Sequence, residues 1–423
     1  MFGLFDKKAA AAPRVEPVLN LDIPPAVSSD VGKMASIFNT QPSAAGVNVT
    51  PETAMRVSAV YASVRLIAGA IASLPLSIYR RNPDGRAQVD HEYWWLLNEQ
   101  ACPAFTGHAM WEYVVASMLL RGDGLVYMYR GPSGLSPTIQ QLIPLKRDQV
   151  WIYRYGERKE RLGYRIHGDI AGTPGYFDAD QDDILHLPNI GFDGIRSPSV
   201  IQLAARNAIG TAYKADEFAG KFYGSGAHVQ YAVTSPKKMT QEQADAFRDA
   251  FVATYGSGEG PNSKPLVLTE GLDIKELSMT AADAQFLDSR KFQVVDIARA
   301  FGVPPHMIGE TSASTSWGTG IEQMGIGFVT YTLRPHLSRF EDELNRKLWP
   351  RSLRTFCEFN VDGLLQGDAT AQANYFKAAL GGPGSQGWMV LNEVRRLKNL
   401  PPIAGGDEII RAGASPAPST TTE

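Results

Sequence analysis

An α+β fold is predicted by three features of the sequence. Apolar residues recur at helical spacing in several well-separated stretches. Between the early ones, over residues 125–187, aromatic and β-branched residues alternate with polar ones as strands require. Hydrophobic residues make up 44% of the 423 positions, enough to build more than one core in a chain of this length.

The elements follow in order. Residues 9–50 are rich in Ala, Pro, Ser, Asn and Val without sustained periodicity, and Gly405–Glu423 is of similar low complexity; both ends read as flexible arms. Thr50 is a good N-cap with Pro51 behind it, and Val57, Val60, Tyr61, Val64, Ile67 and Ala68 fall on one face. A helix is expected there, feeding a strand over Leu76–Arg80 and the turn Asn82-Pro83-Asp84-Gly85. A second helix, Thr106–Arg121, buries Trp111, Val114, Val115, Met118 and Leu119 and stops at Gly122 and Gly124. Strands are expected at Leu125–Arg130, Gln149–Tyr155, Tyr164–His167 and Asp183–Leu187.

Beyond residue 195 the pattern turns helical. Ser197 as cap and Pro198 as first residue predict a helix of about 26 residues, hence about 40 Å, reaching Tyr223. Its alanines permit close approach of a neighbouring helix, and Arg206, Lys214, Glu217 and Lys221 give it a polar face. A small module follows, with strands at Val229–Val233, Leu266–Leu268 and Asp273–Leu277 and a helix at Thr240–Tyr255. A further helix, Asp283–Phe301, ends at Gly302 ahead of Pro304 and Pro305. Small polar residues around one tryptophan, His306–Gly320, read as an exposed loop. A long helical pattern then runs over Ile321–Leu348, where Pro335 removes the bond to the Tyr331 carbonyl and should kink it. A last helix is expected at Asn392–Lys398.

Little of this carries chemistry. Lys and Arg number 41 against 44 Asp and Glu, a formal charge of −3, which argues against a protein that grips nucleic acid by neutralising many phosphates. Cys102 and Cys357 are too few for a disulfide framework and read as free thiols. The charge order of the first residues is the reverse of a secretory signal, and the longest uncharged apolar stretch, Leu66–Tyr79, is shorter than the roughly 20 residues a membrane span needs. No Walker A loop, Rossmann fingerprint, nucleophile elbow or C-x-x-C occurs. Ser235-Pro236-Lys237-Lys238 matches S-x-x-K without its partner motifs, and the seven histidines form no tight ligand pair. Strand alternation separates Asp183 from His186, against a metal cluster at Asp182–His186. No catalytic residue, metal ligand or cofactor is assigned, and the chain is not expected to be an enzyme.

Several stretches taken in this order resemble the HK97-type portal family of tailed bacteriophages over residues 45–404. They are Val60–Tyr79, Trp111–Tyr129 with its Arg121-Gly122-Asp123-Gly124 turn, Leu142-Ile143-Pro144-Leu145, Asp183-Ile184-Leu185-His186 with Phe192-Asp193-Gly194 and Ser197-Pro198, Ile297–Gly309, and Thr332-Leu333-Arg334-Pro335. The resemblance implies an N-terminal arm (1–45), an α+β wing (46–195), a first stem helix (196–225), a clip (226–281) and a second stem helix (282–304). A tunnel loop (305–320), a kinked wing helix (321–350), a helical crown (351–404) and a flexible tail (405–423) would follow.

It further implies a ring of about twelve identical subunits at the capsid vertex, assembled in the host cytoplasm and carried in the virion. Double-stranded DNA would pass through it without sequence preference during packaging and ejection. Other implied partners are the terminase large subunit, a head–tail adaptor and the major capsid protein. Thr311, Ser312, Ser314, Thr315 and Ser316 of the tunnel loop would offer hydroxyls to passing phosphates, with no charge to trap them. Trp317 would either anchor the loop on a neighbour or lie near the DNA, and the loop lacks the basic residue that such loops sometimes carry. Lys237, Lys238 and Glu242 are expected on the clip surface facing motor and adaptor. The competing reading is a minor head-vertex or adaptor protein, also acidic and poor in motifs.

Overall fold

The computed structural model describes residues 42–409 except 84, 132–135, 137, 169, 171–174, 225–230, 235–239, 243–244, 247–248, 250–272, 277–280, 312–318, 351, 353, 362–368, 383–384 and 399. Helix α1 (Pro51–Ala54) begins as expected. The Thr50 hydroxyl accepts from the Thr53 amide at 3.2 Å, and the Thr53 hydroxyl accepts from the Thr50 amide at 2.7 Å. The helix does not run on. It stops after Ala54, and α2 (Ser58–Ala72) starts afresh, burying Val60, Val64, Ile67, Ala68 and Ile71. β1 (Leu76–Asn82) turns back as β2 (Gly85–Gln88).

Helix α3 (Glu92–Asn98), strands β3 (Gln100–Cys102) and β4 (Phe105–Thr106), and helix α4 (Gly107–Arg121) come next. Trp111 of α4 is a pillar of the core. Its ring stacks on Phe340 at 6.2 Å, meets Phe359 edge-on at 5.6 Å, and its Nε1–H donates to the Leu97 carbonyl at 3.0 Å.

Strands β5 (Asp123–Tyr129), β6 (Gln141–Leu145), β7 (Val150–Tyr155), β8 (Arg161–His167), β9 (Tyr176–Asp180) and β10 (Ile184–Pro188) make two three-stranded antiparallel sheets. Their orders are β10-β5-β6 and β7-β8-β9. The first sheet has two apolar faces because its strands alternate. Val126, Met128, Leu142, Leu185 and Leu187 join the large core that holds α2, α3 and α4. Leu125, Leu145 and Ile184 face the other way, against Val150, Ile152, Tyr164 and Ile166 of the second sheet.

The long helix starts later than the sequence suggests. Ser199, not Ser197, is the cap: its hydroxyl accepts from the Gln202 amide at 3.2 Å, and Gln202 Oε1 accepts from the Ser199 amide at 3.0 Å. The first turns are π-helical, Ile201–Ala205, and continue as α5 (Arg206–Gly224). A short antiparallel pair, β11 (Tyr231–Thr234) with β12 (Asp273–Glu276), leads to α6 (Ala281–Phe301). α6 packs on α5, with Ala205 and Ile209 sharing a core with Ile297 and Phe301, and Arg290 pairs with Asp216 at 2.5 Å.

The expected long late helix is three pieces in series: α7 (Thr319–Gly327), a π-helical stretch Phe328–Leu333, and α8 (Arg334–Leu348). Pro335 lies just past the π-helical stretch, at a junction where the backbone stays helical, with Leu333 at φ −75° and ψ −46°. β13 (Thr355–Phe359) then pairs antiparallel with β1, Leu76 opposite Phe359, and completes a sheet begun at the other end of the chain. α9 (Ala369–Leu380) and α10 (Leu391–Leu397) close the described fold.

Candidate functional site

The motif stretches converge on one buried carboxylate. Asp123, with no exposed surface, opens β5 directly after Gly122. Its Oδ2 accepts from Arg147 Nε at 2.9 Å; its Oδ1 meets His186 Nε2 at 3.1 Å and accepts from the Ser197 amide at 3.0 Å. A carboxylate only accepts, so His186 Nε2–H donates to it, while Nδ1 on the other side of the ring bonds the Tyr164 hydroxyl at 3.0 Å. The His186 amide points at Glu343 Oε1 at 3.4 Å, bringing α8 into the same joint. Phe192 meets the His186 ring edge-on at 5.3 Å, and Asp193 Oδ1 accepts from the Ile195 and Arg196 amides, both at 2.7 Å.

The glycines around Asp123 are required by contact. A Cβ on Gly122 would lie 1.9 Å from the Ser197 carbonyl oxygen, and one on Gly124 would lie 2.8 Å from that of Val114. Gly122 also has φ +95°, where side chains are strained. The close approach of Gly122 and the pull of Asp123 fix Ser197 in place, which is why it cannot serve as the helix cap.

The charges of the joint balance. Burial raises the Asp123 pKa, but the hydrogen bond and charge of His186 and the Arg147 guanidinium outweigh burial and hold the carboxyl below its usual range. Burial likewise raises the Tyr164 phenol and lowers Lys347, the latter against the pull of Glu343. Beside the joint opens a cleft of about 310 Å³ lined by Tyr164, His186, Phe192, Arg339, Glu343 and Arg346.

One group on α8 has a pH signature. His336 on α8 is largely buried, its Nδ1 lacks a hydrogen-bond partner, and burial together with the charge of Arg339 pushes its pKa down to about 4 from 6.5. The unfolded chain takes up a proton below pH 6.5 that the folded one refuses until about pH 4, so stability falls as pH falls through that window and then levels. The slope approaches about 1.4 kcal/mol per pH unit. Denaturant titrations of His336→Leu should be flatter between pH 6.5 and 5 than those of the parent.

The residues singled out from sequence are not brought together. Thr311 is exposed after the short turn Pro305–Ile308, while Ser312, Ser314, Thr315, Ser316 and Trp317 lie outside the described residues. Glu242 is exposed; Lys237 and Lys238 lie outside the described residues. Pro335 is exposed, directly behind the π-helical stretch. Lys214 pairs with Glu217 at 2.8 Å, so it is not a free cation on the α5 face. Asp182 and Asp183 are taken by Arg161 at 2.7 Å and Arg130 at 3.2 Å, and no grouping able to hold a metal ion occurs among the described residues. Cys102 and Cys357 are both free and buried.

The joint ties β5, β8, β10, α8 and the loop at Ser197 to one another. Comparison with known proteins gives the family. The family model described as phage portal protein matches residues 58–399. The portal protein of Enterobacteria phage HK97 is 33% identical over 371 residues, 86% of this chain and 83% of that protein. The probable portal protein of Streptomyces phage phiC31 is 33% identical over 378 residues, 88% of this chain and 80% of its own. A chain in the neck of a native gene transfer agent particle, solved with C12 symmetry, shares the fold with a TM-score of 0.54 at 21% identity, covering 89% of this chain and all of that one. The chain belongs to the phage portal protein family, whose members are structural subunits.

Proposed function

We propose that this chain is one of about twelve identical subunits of a ring at the capsid vertex, through which double-stranded DNA is packaged and ejected. The observation that carries the reading is the extent of the family match, from residue 58 to residue 399, together with one third identity to the HK97 protein over most of its length. Twelvefold symmetry in the neck that holds a similar chain supports the ring number.

In this reading residues 46–195 form the wing, α5 and α6 the stem, and 226–281 the clip that meets the terminase large subunit and then the head–tail adaptor. Residues 305–320 form the tunnel loop, 321–350 the kinked wing helix, and 351–404 the crown. The outer wing would meet the major capsid protein. A charge of −3 per subunit suits a channel, because a polyanion must slide and not be held.

The test is particle mass and negative-stain imaging of the purified chain across a concentration series. Closed rings of about twelve subunits with a central hole are expected, and a protein that stays monomeric or dimeric under every assembly condition overturns the reading. Alanine variants of Lys237, Lys238 and Glu242 should weaken motor binding, and unchanged binding removes them from the docking surface.

A further inference from the structure

A ring built from one kind of subunit needs two different faces that fit each other, placed on opposite sides of the molecule. The β10-β5-β6 sheet supplies the dividing plane. On its one side lies α3, with Tyr93 and Leu97 in the large core; on the other lies the β7-β8-β9 sheet, with Val150 and Ile152 in the smaller one. Each of these outer layers exposes a tryptophan to solvent, Trp95 at 56% and Trp151 at 46%, although a bare tryptophan is an unfavourable surface residue for an isolated subunit.

The surroundings of the two tryptophans differ in sign. Trp95 is flanked along the helix by Glu92 and Glu99, at i−3 and i+4, both exposed, and neither carboxylate has a cationic partner among the described residues. Trp151 sits on the edge strand β7 of its sheet, with the Arg196 guanidinium over its ring at 5.5 Å. Arg154, three residues along the same strand and therefore leaving its opposite face, reaches the loop at the edge and donates to the Gly194 carbonyl at 3.3 Å, and neither arginine forms an ion pair with a carboxylate among the described residues. Burial and the charge of Arg147 lower the pKa of Arg196, against the pull of Asp123 and Asp193. The other strand-face arginines, Arg161 and Arg165, are already matched by Asp180, Asp182 and Asp178.

We propose that successive copies of this chain join head to tail through these faces, the Trp151–Arg154–Arg196 edge of one subunit receiving the Glu92–Trp95–Glu99 face of the next. The assignment rests on the ring reading above and names where the ring closes. Aromatic and arginine side chains are the residues enriched at the centres of such contacts, and the unpaired charges on the two faces have opposite sign.

The test uses charge reversal in the full-length chain. Arg154→Glu with Arg196→Glu, and separately Glu92→Lys with Glu99→Lys, should each lose the ring on mass and imaging while keeping the parent's far-ultraviolet circular dichroism. Mixed one to one, the two variants should regain closed rings in which they alternate, because each variant face then meets its opposite; a misfolded variant would not be rescued this way. Rings that form unchanged in both variants, or no recovery on mixing, overturn the assigned faces while leaving the ring itself intact. A parent chain that never forms rings overturns the ring reading and this contact with it.

Discussion

Asp123→Asn should destabilise the protein by about 3–5 kcal/mol, as expected when one partner of a buried ion pair is removed and the others are left uncompensated. The side chain keeps its shape but loses the charge that balances Arg147 and strengthens the bond from His186, in a place with no exposed surface. The loss is read as a shifted denaturant midpoint. It should also be read locally, as faster amide exchange over Ile201–Ala205, because Asp123 holds the Ser197 amide just ahead of that π-helical turn. pH provides the internal control. Since the folded carboxyl is held below its ordinary value near 3.8, its contribution is fully present above that value and is lost as pH falls through the folded pKa. Parent and variant should therefore converge in acid, and a gap that persists unchanged at low pH would show that the charge is not what stabilises the joint.

Gly122→Ala should cost about 3 kcal/mol or more, from roughly 1–2 kcal/mol of left-handed backbone strain and the repulsion of a methyl group placed 1.9 Å from the Ser197 carbonyl oxygen. Gly309 is the open counterpart. Its φ of +93° is close to the +95° of Gly122, its ψ of 6° lies in the left-handed basin where the −36° of Gly122 does not, and a Cβ there would meet nothing within 4 Å. Gly309→Ala should show left-handed strain without a clash. Equal losses in the two variants would mean that the close packing of Gly122 on Ser197 contributes nothing.

Local patterns in the sequence were good guides where structure is local. The stripes of α2 and α4, the Thr50 cap and the core strands of both sheets follow from spacing alone. Three things resisted because their causes lie far off in the chain. Ser197 and Ser199 are equally good caps by residue type, and the choice between them is made by Asp123, 74 positions earlier. Thr355–Phe359 alternates like a strand, with Cys357 and Phe359 buried, but declares itself only against β1. The seven residues of α3, dense in aromatics, are too few to show a helical period.

The polar joint was half legible. Its motif stretches stood out as a set, but nothing in their spacing says that Asp123, His186 and Ser197 touch, since that requires two strands and a loop to fold over one another. The π-helical stretches Ile201–Ala205 and Phe328–Leu333 left no mark that periodicity detects, beyond the proline that follows the second.

The pairing of β1 with β13 also has a consequence for the order of events in the cell. Arg86 in the first hairpin pairs with Glu358, 272 positions later, and the β1 edge that β13 covers stands open until that late stretch has left the ribosome. An uncovered strand edge is a template for wrong partners, and contacts this distant in sequence form slowly. The nascent chain thus carries an exposed, sticky border for most of its synthesis. Only when Thr355–Phe359 arrives does the border close, so a chain truncated ahead of that stretch is left without its finished sheet.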